Sequence, residues 1–304
     1  MGAPGQELPL EEPERYAYEI RRLSLEMITF GTWGHIGGAF SMADLLSVLY
    51  FHHMKIDPAE PRAEHRDRLI LSKAHGSPAL YAALARRGYF PESRLYAYCE
   101  LNGLEGHTHR DCAPGIEASG GPLGMGLSVA VGMALGLRRK ENVRNRVFCI
   151  MGDGELNEGN IWEAAASASH YRLDNLIGIV DYNKVMAKGF VWEAMGIEPL
   201  ADKWRAFGWK VIEIDGHDLR AVAAALHRAR WVEPSGSPIA IIAHTVKGKG
   251  VEDAEFNYRW HTHAPDPVTA DRMLRELART YGYEERGYSR LSAADAKESF
   301  YGGE

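Results

Sequence analysis

The run RVFCIM (residues 146–151), followed at once by GDGELNEGNIWEAAASASHYRLDNLIGIVDYNK (152–184), decides the fold. Residues 146–151 form a short apolar stretch, the pattern of a strand buried on both faces. The alanine-rich residues 160–171 read as a helix, and 176–181 (LIGIVD) as a second buried strand. Strand, short connection, helix and strand make the repeating unit of a parallel sheet.

The alternation continues downstream. Residues 202–207 read as helix, 211–215 as strand, 219–231 as helix and 238–244 (PIAIIAH) as strand. Upstream, Tyr16, Ile20, Leu23 and Met27 recur at steps of four and three, one face of an amphipathic helix. A Gly-rich loop is expected over 31–38, then a helix over 43–50, with Ser41 and Asp44 in capping-box spacing. Another helix is expected over 127–137, and a last one over 269–281. The expected class is α/β, a doubly wound, mostly parallel sheet flanked by helices. We divide the chain into a flexible arm (1–12), a cofactor domain (13–265) and a C-terminal helix and tail (266–304). Ligands of such sheets bind beyond the carboxyl ends of the strands.

Gly152-Asp153-Gly154 follows one strand directly, and Asn183 follows the next. Mg²⁺ takes oxygen ligands in a tight octahedron and keeps phosphates and water among them. The Asp153 carboxylate, the Asn183 amide oxygen and a following carbonyl, such as that of Val185, can face one ion. Gly152 and Gly154 allow the backbone close to a diphosphate, and a helix N-terminus favours anions. Gly-Asp-Gly alone is common turn chemistry; the added Asn at this spacing makes the signal specific.

The 304 residues are 45% hydrophobic and 25% charged, with a net charge of -6. No basic run is present, which argues against nucleic acid as a partner. Three cysteines without CxxC spacing indicate neither a disulfide framework nor a zinc site. The apolar stretches are strand-sized, and the N-terminus has no apolar signal segment, so a cytoplasmic protein without a membrane span is expected. Thirteen histidines is a high count. His35, His75, His107 and His261 all sit in Gly- or loop-rich contexts, and imidazoles donate, accept and transfer protons near neutral pH.

Residues 152–184, together with these four histidines, resemble the thiamine-diphosphate motif of the transketolase family, and the likeness runs from about residue 16 to 265. The resemblance implies thiamine diphosphate as cofactor with Mg²⁺, or Ca²⁺ or Mn²⁺ in its place. Asp153, Asn183 and the Val185 carbonyl would be the metal ligands, and Gly154 would contact the diphosphate through its N–H. His35, His75, His107 and His261 would line the channel to the thiazolium carbon, with His261 also near the diphosphate. Gly120–Gly124 resembles the family's second Gly-rich segment, with Gly121 beside the cofactor and Leu123 against the aminopyrimidine. Glu158 and Glu163 match positions of a carboxylate network between subunits. His109, His244 and His263 are weaker candidates; His244 and Lys247 can each lie near the diphosphate, and a structural role is favoured for both.

Full-length transketolases continue into a second domain that supplies the pyrimidine contacts. A partner chain with the pyrimidine-binding and C-terminal domains is therefore expected, in an α2β2 heterotetramer. The implied reaction moves a two-carbon ketol unit from a ketose to an aldose, free or phosphorylated. The pattern departs from the family at Ala74, Thr108, Ala187 and Lys188. These leave the metal ligands intact and bear on the donor pocket, pointing to a specialised sugar. The rival readings are the α subunit of a 2-oxoacid dehydrogenase, against which the histidine set argues, and a non-catalytic homologue.

Overall fold

The computed structural model of the protein describes residues 11–140, 145–232 and 236–285. Five parallel strands form one sheet: β1 (Arg68–Leu71), β2 (Val147–Gly152), β3 (Leu176–Tyr182), β4 (Lys210–Asp215) and β5 (Ile239–His244), in the order β1-β2-β3-β5-β4. Ten helices accompany them among the described residues: α1 (Glu11–Phe30), α2 (Ile36–Ser41), α3 (Ala43–Val48), α4 (Ser77–Arg87), α5 (Gly126–Arg138), α6 (Gly159–His170), α7 (Val191–Ala194), α8 (Leu200–Ala206), α9 (Leu219–His227) and α10 (Pro267–Thr280).

The strand period of two sorts the core into two layers. Phe148, Ile150, Ile177, Ile179 and Ile241 face a cluster built from α1, α3, α4, α9 and α10. Val147, Cys149, Met151, Val180 and Ile242 face another, built from α5, α6 and α8, where Trp204 is fully buried. Both faces of the sheet are covered, as the continuous apolar runs of β2, β3 and β5 require. Caps fix the helix starts: Asp218 accepts from the N–H groups of Arg220 and Ala221 before α9, and Asp266 from those of Val268 and Thr269 before α10. The left-handed Gly88 (φ +95°) ends α4.

Several details correct the sequence reading. Glu11 and Glu12 belong to the first turn of α1, where the arm was expected; residues 1–10 of that arm, and 286–304 of the tail, lie outside the described residues. Ser41 and Asp44 form no capping box. The Ser41 hydroxyl donates to Asp181 at 2.6 Å, and Asp44 pairs with buried Arg21 and with His217. Helix α2 begins at Ile36, inside the expected loop, and the helix expected over 43–50 closes as a π-turn, Leu49–His53. A second π-turn, Arg228–Val232, continues α9. Strand β1 and helices α4 and α7 were not anticipated. No described helix is long and apolar enough to cross a membrane, and all three cysteines are free thiols.

Candidate active site

The carboxyl ends of β1, β2, β3 and β5 deliver the residues of interest to one place. β1 ends at Leu71, and Ser72-Lys73-Ala74-His75 follow. β2 runs into Asp153, β3 into Asn183, and β5 into Thr245 and Lys247.

A buried ion pair holds these ends together. Lys73 donates to Asp181 and, at 2.8 Å, to the Gly38 carbonyl. Asp181 also accepts from Ser41, from Thr245 and from the Asn183 amide at 3.1 Å. Burial alone would raise the Asp181 carboxyl, but Lys73 and these donors hold it below its ordinary value. The Asn183 amide is thereby oriented, with its oxygen accepting from the Val185 N–H at 3.1 Å.

Asp153 accepts from the N–H of Gly154 at 2.8 Å and from that of Lys184. The Gly154 N–H is therefore turned to this carboxylate. Burial, reinforced by the charge of Asp181, pushes Asp153 up to about 7. Among the described residues no side-chain cation bonds it. The Asp153 carboxylate, the Asn183 amide oxygen and the Val185 carbonyl are all oxygen donors, the kind a magnesium diphosphate takes; here the Asn183 oxygen accepts from the Val185 N–H and the Val185 carbonyl from Lys247. Gly154 also lies tight against this loop: a Cβ there would stand 3.0 Å from Met186.

Lys247 enters the same place from the end of β5. Its ammonium donates to the carbonyls of Val185 (2.8 Å) and Met186 (3.2 Å) and lies 3.0 Å from His261 Nδ1. Burial and the nearby Lys73 lower it to about 8. It is buried between His261 and the Val185 and Met186 carbonyls. Gly37 admits it, since a Cβ there would meet its side chain at 2.8 Å. His244, in contrast, is half-exposed beside Glu213 at 3.3 Å.

The four histidines converge. Ring centres lie 5.2 Å apart for His35–His75, 5.1 Å for His35–His261, 5.4 Å for His75–His261 and 6.0 Å for His35–His107. Burial lowers all four. His35 falls to about 4, with His107 and Lys247 adding to the effect; His261 falls to about 3, with Lys247 adding; His75 falls well below its ordinary range. The cluster is therefore neutral at pH 7. The Nδ1 of His35 is buried without a hydrogen-bond partner among the described residues. His109 lies apart on the surface, near Glu105.

Glu155 was overlooked in the sequence. It is buried, and it accepts from Ser72 and from the N–H groups of Gly124 (2.8 Å) and Gly152 (3.0 Å), fastening the Gly120–Gly124 segment to the end of β2. Its signal was its place two residues after Asp153, and Glu158 drew the attention instead. Glu158 and Glu163 are both exposed, and Glu158 packs over Gly124. Leu123, Met125 and Val129 are each exposed, and Gly121 takes a φ of +158° with nothing among the described residues near its Cβ position. Ala187 and Lys188 stand on the exposed tip of a hairpin closed by the Val185–Phe190 bridge.

Fold and site together define an α/β cofactor-binding domain whose chemistry is concentrated at the strand ends. The family described as "Transketolase, thiamine diphosphate binding domain" matches residues 13–291. The chain is 46% identical over 249 residues to the 6-deoxy-6-sulfo-D-fructose transketolase subunit SqwG of Clostridium sp. (strain MSTE9), covering 82% of this chain and 90% of that one. It is 38% identical over 272 residues to an apulose-4-phosphate transketolase subunit of Actinobacillus succinogenes, covering 89% and 97%. The transketolase structure from Campylobacter jejuni superposes with a TM-score of 0.84 at 29% identity, covering 97% of this chain and 47% of that one. The chain thus spans about half the length of the solved transketolases it matches. It belongs to the transketolase family, as a diphosphate-binding subunit of the split, thiamine-diphosphate-dependent kind.

Proposed function

We propose that this chain binds the diphosphate of thiamine diphosphate through Mg²⁺ held by Asp153, Asn183 and the Val185 carbonyl. With a partner chain carrying the pyrimidine-binding and C-terminal domains, in an α2β2 assembly in the cytoplasm, it transfers a two-carbon ketol unit from a ketose to an aldose. The observation that carries this reading is the ring of four neutral histidines beside Lys247, set against the Asp153–Asn183 loops. When bound, the cofactor supplies a nucleophilic carbon and an electron sink.

The residues of this chain have separable tasks. Neutral imidazoles at His35, His75, His107 and His261 present donors and acceptors to sugar hydroxyls and a carbonyl, and can pass protons without first losing one. Lys247, beside His261, adds positive charge that suits a diphosphate. Gly121, Leu123 and Gly154 lie at the edge of the cofactor's place, and Glu158 on the rim facing a partner. The relatives above are named for ketoses bearing a sulfonate or a phosphate, so an anionic ketose is the substrate class to try first.

The test is ketol transfer from such ketoses by the chain alone and with its partner, in thiamine diphosphate and Mg²⁺. Activity in the mixture only is expected. Activity of the chain alone would refute the need for a partner. Asp153→Ala should abolish Mg²⁺-dependent cofactor binding, and unchanged affinity would refute the metal assignment.

A further inference from the structure

A second hollow, of about 910 Å³, opens away from the histidines. Its wall carries Arg62, Arg66, Arg68, Arg94 and Arg110 against only two carboxylates, Asp111 and Glu117. The whole chain has a net charge of -6, so this positive concentration is local and opposes the total. Glu117 is committed to Arg66, which donates to both of its oxygens. Arg94 donates to the Cys112 carbonyl at 2.7 Å, and Arg68 to the Arg66 carbonyl at 3.1 Å. Arg62 and Arg110 are exposed, and their guanidinium groups form no ion pair among the described residues. Among the described residues, four of the five guanidinium groups therefore have no carboxylate.

Like charges gathered in a hollow oppose folding unless an anion joins them. Guanidinium groups pair with phosphate through parallel hydrogen bonds, and a hollow of this volume suits a small organic ligand. Arg68 opens β1, while Lys73 lies beyond its last residue, so the hollow and the histidine site lie at opposite ends of that strand. At about 3.3 Å per residue, Arg68 and Lys73 themselves are roughly 16 Å apart. One loop nevertheless serves both. It leaves the active site at His107 and Thr108, supplies Arg110–Glu117 to the hollow, and returns at Gly120, whose N–H donates to the Thr108 carbonyl at 2.7 Å.

We propose that this arginine-lined hollow is a binding site for a phosphate-bearing small molecule, separate from the cofactor and sugar site. Its occupant touches the loop that presents His107.

The test is calorimetric titration of the full chain, already saturated with thiamine diphosphate and Mg²⁺ so that the diphosphate place is filled. Inorganic phosphate and glycerol 3-phosphate are the probes. Saturable binding is expected, weakened about tenfold or more by Arg62→Ala with Arg110→Ala and unchanged by His261→Ala. Both arginines are exposed, so the double variant should melt with the parent. Tighter binding of the ester would identify an organic phosphate, and equal binding the free ion; either supports the site. No saturable binding, indifference to the double substitution, or loss with His261→Ala would overturn it.

Discussion

Replacing Lys73 by methionine tests the buried pair that joins the strand ends. Both side chains are out of water, at 1% and 0% exposure. Asp181 would keep the Ser41, Thr245 and Asn183 donors and lose the Lys73 ammonium. Removing one member of a buried ion pair costs about 3–5 kcal/mol. Three surviving donors place the loss at the lower end, about 3 kcal/mol. At about 2–4 °C per kcal/mol for large domains, Tm should drop by roughly 6–12 °C. Thermal and denaturant unfolding, followed by circular dichroism, measure it. The double variant Lys73→Met with Asp181→Asn should recover part of the loss, because no charge is then stranded. Since Asp181 orients the Asn183 amide, the single variant should also weaken Mg²⁺-dependent cofactor binding. A loss under about 1 kcal/mol, or a double variant as unstable as the summed singles, would refute the reasoning.

Three more outcomes follow from the same geometry. Glu155→Ala strands two buried N–H groups, those of Gly124 and Gly152, and should cost about 1–3 kcal/mol for each, read by denaturant midpoint. Asp153→Asn should separate stability from binding. Its carboxyl sits at about 7 when folded and 3.8 when unfolded, so the folded state pays increasingly as pH rises between these values; at pH 8 the variant should melt no lower than the parent, yet lose Mg²⁺-dependent affinity. His53 shows the opposite pH sense. Burial and Arg230 lower it to about 3, so the folded state excludes a proton that the unfolded chain takes up below about 6.5, and stability falls as pH drops through that value. His53→Gln, which keeps an acceptor for Arg230 Nε (3.2 Å), should lessen that fall by up to about 1.4 kcal/mol per pH unit between pH 6 and 4, seen in unfolding curves across pH.

What could be read in the sequence depended on where each signal lay. β2, β3 and β5 were legible because burial on both faces leaves an uninterrupted apolar run. β1 was not, since it has four residues and begins with Arg68. Asp153 and Asn183 stood out by spacing, and the histidines by their glycine-rich settings. Lys73 and Asp181 were missed, and the burial of Lys247 was not read, because a charged residue carries no local mark of burial. Lys73 is buried by an aspartate 108 positions away, and Lys247 by carbonyls more than sixty positions away. The Ser41–Asp44 spacing misled for the same reason: the hydroxyl found an acceptor 140 positions away.

The place of β1 in the sheet has a consequence for synthesis. Among the described residues its one neighbour is β2, and Arg68 pairs with Val147, 79 positions later. At about 5–20 residues per second, translation takes roughly 4–16 seconds to make that interval. Throughout it, Leu69, Ile70 and Leu71 have been made and their partner strand has not. The nascent chain therefore carries the apolar residues 69–71 without their partner strand for seconds, a natural point of engagement for a holding chaperone.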